Sequence, residues 1–318
     1  MAAIAVISAI GVQQAQAVEG GLETYLLGSR DSMAGILPPA GTYINNDIVR
    51  FSGTAPSVSM GGAVLEDPKL DVTIYKFNAT HVFDATVAGA RFGLNLNIPY
   101  VWSNIDLNGE ISSLLSGGLS DQQYSFSDIT VSPIFGWTHG NLHQTLALQL
   151  FLPTGAYDTA TIDVQGRSVD VLSTGKNRFA FDPTWSVTWF EPAKGLELSG
   201  AFGITFSAEN EATEYQTAPE AHFEGTVMQH FSNKMAVGVT GYAYRQLDDD
   251  SGQGAENMRG VVGAESLQAE VYGIGPIWTW STTIGKAPVN VKAKYIVESG
   301  ARRRFESDKA WLTVGFVF

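Results

Sequence analysis

The chain ends Trp311-Leu312-Thr313-Val314-Gly315-Phe316-Val317-Phe318, and the reading of this stretch decides the fold. Leu312, Val314, Phe316 and Phe318 recur at a spacing of two and share one face of a strand. Trp311, Thr313 and Gly315 share the other. A soluble protein gains nothing from finishing on an apolar strand with no polar tail. A transmembrane β-barrel does, because its last strand closes the sheet against the first and faces lipid. The expectation is an all-β chain forming a closed antiparallel transmembrane β-barrel. The alternative is the terminal strand of a soluble sandwich.

The same period of two runs through the chain. In Leu196–Ser207, Leu196, Leu198, Phe202, Ile204 and Phe206 oppose Glu197, Ser199, Ala201, Gly203, Thr205 and Ser207. Leu142–Leu152, Phe179–Trp189, Val87–Ile98 and Val289–Val297 alternate in the same way. The pattern predicts about 12 strands, near 42–53, 69–79, 85–103, 127–138, 142–153, 178–190, 195–208, 214–231, 235–247, 266–282, 288–299 and 306–318. Short connections such as His139-Gly140-Asn141 and Pro192-Ala193-Lys194 alternate with long ones at 54–68, 104–126, 154–177 and 248–265. Short inner turns and long outer loops are what a barrel of hairpins produces. The strands near 42–53, 69–79 and 235–247 have ambiguous facing.

At the other end, Ala2–Val12 is a short apolar run followed by Ala15-Gln16-Ala17, a small-residue cleavage pattern. Residues 1–17 read as a signal peptide whose basic region is missing, as a start site placed too late would leave it. Residues 18–41 are irregular and end in Leu37-Pro38-Pro39-Ala40-Gly41. They are either a periplasmic lead-in or a plug in the lumen, and the sequence leaves both open. Residues 42–318 form the barrel.

No stretch reaches the ~18 consecutive apolar residues that a membrane-spanning helix needs. The 318 residues include no cysteine, so no disulfide supports the fold. A net charge of −13 argues against a nucleic-acid partner. Aromatics at 11% and a mean hydropathy of +0.02 suit a chain with one lipid face and one wet face. Tyr100, Trp102, Trp137, Trp189, Phe190, Phe231, Trp278 and Trp280 fall near strand ends, where interfacial girdles lie.

Candidate chemistry is sparse. Glu220, His222 and Glu224 share one face of a strand, Lys292 and Lys294 the lumen face of another, and Arg91 that of a third. Together they predict a charged interior that selects solutes, or charges that pair across the barrel. No metal motif, cofactor fingerprint or catalytic set accompanies them. Asp248-Asp249-Asp250-Ser251-Gly252 lacks the full ligand pattern of a calcium loop and reads as a solvated outer loop. The glycines of Gly273-Ile274-Gly275-Pro276 read as sparing lumen space or bending a strand. Arg302-Arg303-Arg304 is expected to face outward, toward lipopolysaccharide phosphates or solvent.

Several short motifs occur in order: Glu23-Thr24-Tyr25, Leu37-Pro38-Pro39-Ala40-Gly41-Thr42-Tyr43, Gly241-Tyr242-Ala243-Tyr244-Arg245-Gln246-Leu247, Gly273-Ile274-Gly275-Pro276, Lys294-Tyr295 and Trp311-Leu312-Thr313. In these the chain resembles the "Putative MetA-pathway of phenol degradation" family and the outer-membrane transporter-like proteins grouped with it. Ala40 departs from the pattern, standing where a third proline is expected. The resemblance implies a bacterial outer-membrane barrel associated with catabolism of aromatic or hydrophobic compounds. It carries over no catalytic residue. The expected function is uptake of small hydrophobic or aromatic solutes by a monomer in contact with outer-membrane lipid and lipopolysaccharide, and not catalysis. The alternatives are a lipid-acting enzyme, with a nucleophile beside His143 or His222, and a surface barrel whose loops bind a host or phage partner.

Overall fold

The structure, a computed structural model, describes residues 19–107, 119–163, 168–231, 234–285 and 287–318. The expected signal peptide, 1–17, lies outside the described residues. The chain opens with β1 (Gly41–Thr54), the hairpin β2 (Ser57–Met60) and β3 (Ala63–Glu66), then β4 (Pro68–Val87) and β5 (Ala90–Leu107). Next come β6 (Leu119–Phe126), β7 (Ile129–His139) and β8 (Leu142–Leu152), then the short pair β9 (Thr161–Asp163) and β10 (Ser168–Asp170). β11 (Ala180–Glu191), β12 (Leu196–Ser207), β13 (Glu220–His230) and β14 (Met235–Gln246) precede a helix, α1 (Gln253–Val262). β15 (Glu270–Ile284), β16 (Ala287–Arg302) and β17 (Glu306–Val317) complete the chain.

Twelve strands close a ring: β1, β4, β5, β7, β8 and β11 to β17. Every pairing in it is antiparallel. The ring closes where β17 pairs with β1, from Tyr43 opposite Val317 to Thr54 opposite Glu306. Closure leaves no unpaired edge in lipid, where an orphan backbone group would cost several kcal/mol, on the order of that for any buried amide without a partner.

The alternation sorts the two faces as expected. On β11 and β12 the outward residues include Phe181, Trp185, Leu198, Phe202 and Phe206, and Phe181 stacks on Phe206 across the pair. Thr184, Ser186, Thr188, Glu197, Ser199 and Thr205 are buried inside. The outer belt continues through Phe223, Val227, Val237, Val239, Ile274, Val297 and Leu312. An exposed apolar surface of this extent belongs in lipid.

The interior is not uniformly polar. Toward the long loops, Val49, Phe51, Val58, Leu65, Leu70, Val72, Ile105 and Val171 form one apolar cluster. Tyr215, Tyr242, Tyr244, Met258, Leu267 and Ile296 form a second, with Tyr25 and Leu27. Here the β2–β3 hairpin, β10 and α1 fold over the loop end and supply apolar side chains to the lumen. The strands of ambiguous facing contribute Val49, Phe51, Leu70, Val72, Tyr242 and Tyr244 to these clusters, so their inner faces are apolar as well.

Two outer features differ from the sequence expectation. Arg304 does not face outward: its left-handed neighbour Arg303 (φ 55°) turns the chain, and Arg304 lies buried inside the barrel. Arg302 does stay at the surface, 3.2 Å from Glu270. Asp250 is buried rather than solvated, accepting hydrogen bonds from the Tyr215 hydroxyl at 2.6 Å and the Ala218 amide at 2.8 Å. Asp249 accepts from Ser266 and the Leu267 amide, both at 2.7 Å. These aspartates tie loops together, and no metal-binding cluster occurs among the described residues.

One part of the wall is built differently. β5 pairs with β7 over Arg91–Asn97 and with β6 over Tyr100–Leu107. The chain breaks strand geometry at Ser127 and Asp128, between β6 and β7. β7 goes on to pair with β8, whereas the other side of β6 meets the segment before β11 instead of a barrel strand. Side chains make that junction. Asp121 accepts the Val171 and Leu172 amides, both at 2.9 Å, and Thr174 donates to the Phe126 carbonyl at 2.9 Å.

Candidate functional site

Residues 19–40 run inside the barrel from the loop end to the short-turn end. The Gly20 amide donates to the Ser59 carbonyl of β2 at 2.7 Å. At the other end of the segment, Tyr43 donates to the Pro39 carbonyl at 2.9 Å, where β1 begins. The sequence left lead-in and plug open; the contacts of this segment are with inward-facing residues of β12, β13, β16 and β17.

Charge holds it there. Glu19 lies 3.0 Å from Arg178 and accepts from Asn210 and Thr213. Glu23 lies 2.9 Å from Arg304 and 3.2 Å from Lys309, and Glu298 lies 3.2 Å from both cations. Asp31 lies 2.6 Å from Lys292 and from Lys294, and Lys294 also donates to the Gly28 carbonyl. Two wall carboxylates face the opposite way and accept from the segment. Glu224 accepts from the Tyr25 hydroxyl at 2.5 Å and the Arg30 amide at 3.0 Å. Glu197 accepts from the Met33 amide at 2.7 Å and the Ser32 hydroxyl at 2.9 Å. Buried charges tolerate desolvation only when paired and hydrogen-bonded in this way.

Close backbone approach fixes the lower half. The Gly35 amide donates to Thr188 at 2.9 Å, and a Cβ on Gly35 would sit 2.4 Å from the Thr188 amide nitrogen. Only glycine lets the segment lie this flat on the wall. Leu37 then packs with Val82, Ile134 and Ala147.

Five of the six candidate selectivity residues come together around the segment. Glu224, Lys292 and Lys294 bind it directly. His222 stacks on Tyr25 and lies 2.9 Å from Asp182. Glu220 accepts from the Tyr244 hydroxyl at 2.8 Å. Arg91 stands apart near the short-turn end, donating to Thr138 at 3.2 Å. Reasoning from pattern missed Asp182, Glu197, Glu298 and Lys309. Glu298 and Lys309 continue the inward spacing of Lys292, Lys294, Trp311 and Thr313, so the signal was there. Arg178 opens the expected strand 178–190 and keeps the inward spacing of Asp182 and Thr184, although β11 itself begins only at Ala180. Gly273 spares lumen space as expected: a Cβ there would meet the Tyr242 ring at 2.6 Å.

Beside the segment, toward the loop end, lies a cavity of about 250 Å³. Its walls are Leu22 and Leu26 of the segment, Phe51, Leu70, Val72, Ile74 and Val101 of β1, β4 and β5, and Val171 and Leu172. Ser127 and Asp128, at the break between β6 and β7, also line it. Lys76, Lys176 and Lys309 are its cations. Burial, reinforced by the nearby Arg178 charge, pulls the Lys176 ammonium down to about 8, against the opposing pull of Glu220, Glu19 and Glu23.

Comparison with known proteins places this architecture. The crystal structure of the COG4313 outer membrane channel from Pseudomonas putida F1 superposes with a TM-score of 0.66 at 14% identity, over 91% of this chain and 99% of that one. The transport unit of the autotransporter AIDA-I from Escherichia coli gives 0.49 at 8% identity, over 92% and 93%. The translocator domain of the autotransporter NalP from Neisseria meningitidis gives 0.47 at 12%, over 90% and 92%. No curated protein matches the chain. The fold, with its lipid-facing belt, is that of a bacterial outer-membrane β-barrel. The profile of the family described as "Putative MetA-pathway of phenol degradation" matches residues 53–314, and the chain belongs to that family.

Proposed function

We propose that this barrel admits small hydrophobic solutes, aromatic ones above all, across the outer membrane, and that the cavity beside residues 19–40 is where they bind. The observation that carries the reading is an apolar cavity in a lumen whose axis is occupied by a charged, hydrogen-bonded segment. A general aqueous pore needs an open bore, and the ion pairs and hydrogen bonds between residues 19–40 and the inward-facing wall support a closed one. A cavity lined by aliphatic and aromatic side chains with a few polar groups is how small-molecule sites are built. The family description, with its reference to phenol degradation, points to the same class of solute. The closed ring needs no partner to hide its edges, so the barrel acts as a monomer.

The reading is of a conduit rather than an enzyme. The partners of His222 are Asp182 and, at 3.9 Å, Glu224, and no serine or threonine hydroxyl bonds to it among the described residues. His143 has a hydroxyl partner, Thr138 at 3.0 Å, but no carboxylate orients its ring among the described residues.

Uptake of a neutral hydrophobic probe, N-phenyl-1-naphthylamine, into proteoliposomes tests this. The intact chain should speed uptake, and Val72→Trp, which fills the cavity, should abolish most of the gain while the barrel stays folded. Equal uptake by both proteins would remove the cavity from the route.

A further inference from the structure

The three lysines of the cavity are not equivalent. Lys76 has Asp47 at 3.3 Å, and Lys309 has Glu23 and Glu298, each at 3.2 Å. Lys176 has no carboxylate within ion-pairing distance among the described residues. Its Nζ donates to two backbone carbonyls of the lumen segment, Leu22 at 2.8 Å and Glu19 at 3.2 Å. An ammonium has three N–H donors, so one remains.

The carboxylates at the cavity are all committed elsewhere. Glu19 is held by Arg178, Asn210 and Thr213, and Glu23 by Arg304 and Lys309. Asp128 accepts the Gly155 amide at 2.9 Å and the amide of Lys176 itself at 2.8 Å. That last bond fixes the backbone that carries the lysine. The same segment supplies Val171 and Leu172 to the apolar wall, so one stretch of chain brings a cation and a hydrophobic surface to one cavity.

We infer that the solutes this cavity binds most tightly are amphipathic anions, compact carboxylates with an apolar or aromatic body, whose carboxylate supplies the missing counter-charge of Lys176. The inference rests on the proposed reading of the cavity as the solute site. A buried cation without a counter-ion is costly, and a ligand that brings one gains a charge-assisted hydrogen bond as well. Burial and the Arg178 charge hold Lys176 below its ordinary basicity, the more distant Glu220, Glu19 and Glu23 notwithstanding. At about 250 Å³ the cavity lies just below the size of ordinary ligand pockets, which suits one ring and a short chain.

The test is titration calorimetry of the refolded full chain in detergent at pH 7 with two ligands of one shape, 3-phenylpropionate and 3-phenylpropanol. The acid should bind about tenfold tighter than the alcohol, the scale of one charge-assisted bond. Lys176→Met should remove that advantage and leave the alcohol within twofold, and Lys176→Arg should restore most of it. Equal binding of acid and alcohol by the unmodified chain would overturn the inference, as would an equal loss of both in Lys176→Met. Val72→Trp separates the two layers. If it blocks the alcohol while the acid shows no advantage, the cavity reading stands and the anion inference falls. If neither ligand binds the unmodified chain, both fall.

Discussion

Tyr25 lies flat on His222, ring centroids 3.8 Å apart and planes 13° apart, and its hydroxyl donates to Glu224 at 2.5 Å. One side chain of the lumen segment thus binds two wall residues that alternate on β13. Tyr25→Phe should keep the stack and leave Glu224 short of a donor, loosening the segment by about 1–3 kcal/mol. Tyr25→Ala loses both contacts and should loosen it further. Single-channel recordings should show rare openings in the first variant and frequent ones in the second. Recordings indistinguishable from the intact protein in both would mean that Tyr25 does not hold the segment.

Asp31 neutralises two lysines at once, so its loss should be more costly than that of one surface ion pair. Asp31→Asn leaves Lys292 and Lys294 facing each other without a carboxylate, and removing one partner of a buried pair costs about 3–5 kcal/mol. The expected outcome is a segment open to limited proteolysis, with the barrel itself resistant. Adding Lys294→Met to Asp31→Asn should recover part of the protection. No recovery would show that the pair acts through geometry rather than charge.

Removal of residues 19–40 should convert a nearly silent protein into one with clear conductance steps in a planar bilayer. Glu220, His222, Glu224, Lys292 and Lys294 would then line an open passage, with Arg91 near its short-turn end. Lys292→Glu with Lys294→Glu should shift the truncated channel toward cations, as rings of charge do. In the full chain the same pair of changes sets two carboxylates against Asp31 and should loosen the segment, as Asp31→Asn does. Silence in both full and truncated proteins would argue against any aqueous route.

Lys176 gives a pH dependence of known sign. Its ammonium is held near 8 in the folded chain, below the ordinary 10.5, so between these values the unfolded chain binds more protons and folding gains as pH rises. The penalty is fully present below about 8 and relieved on the way to 10.5. The neutral amine keeps two N–H groups, enough for the Leu22 and Glu19 carbonyls. Without ligand, thermal unfolding should therefore shift upward between pH 7.5 and 9.5 relative to Lys176→Met over the same range. Parallel curves would show that the folded chain holds the Lys176 proton as firmly as the unfolded chain does, so that its basicity is not depressed.

The sequence by itself determined the barrel. A lipid face and a wet face repeat every two residues, so strand number and the facing of most strands follow from the pattern. Glu220, His222, Glu224, Lys292 and Lys294 were legible for the same reason, being polar side chains at inward positions between apolar outward ones. What only the tertiary structure decided lies where periodicity gives no information. Residues 19–40 have no repeat, and their place in the lumen comes from ion pairs with residues such as Arg178, Arg304 and Lys309, far away in the chain. Arg304 itself was misplaced, because a turn through Arg303 reverses the direction a loop residue faces. The ambiguous strands were ambiguous for a physical reason: Val49, Phe51, Leu70 and Val72 face inward, against an apolar lining rather than water. Binary patterning distinguishes lipid from water but cannot distinguish lipid from a hydrophobic cavity, and the candidate solute site lies behind that second apolar face.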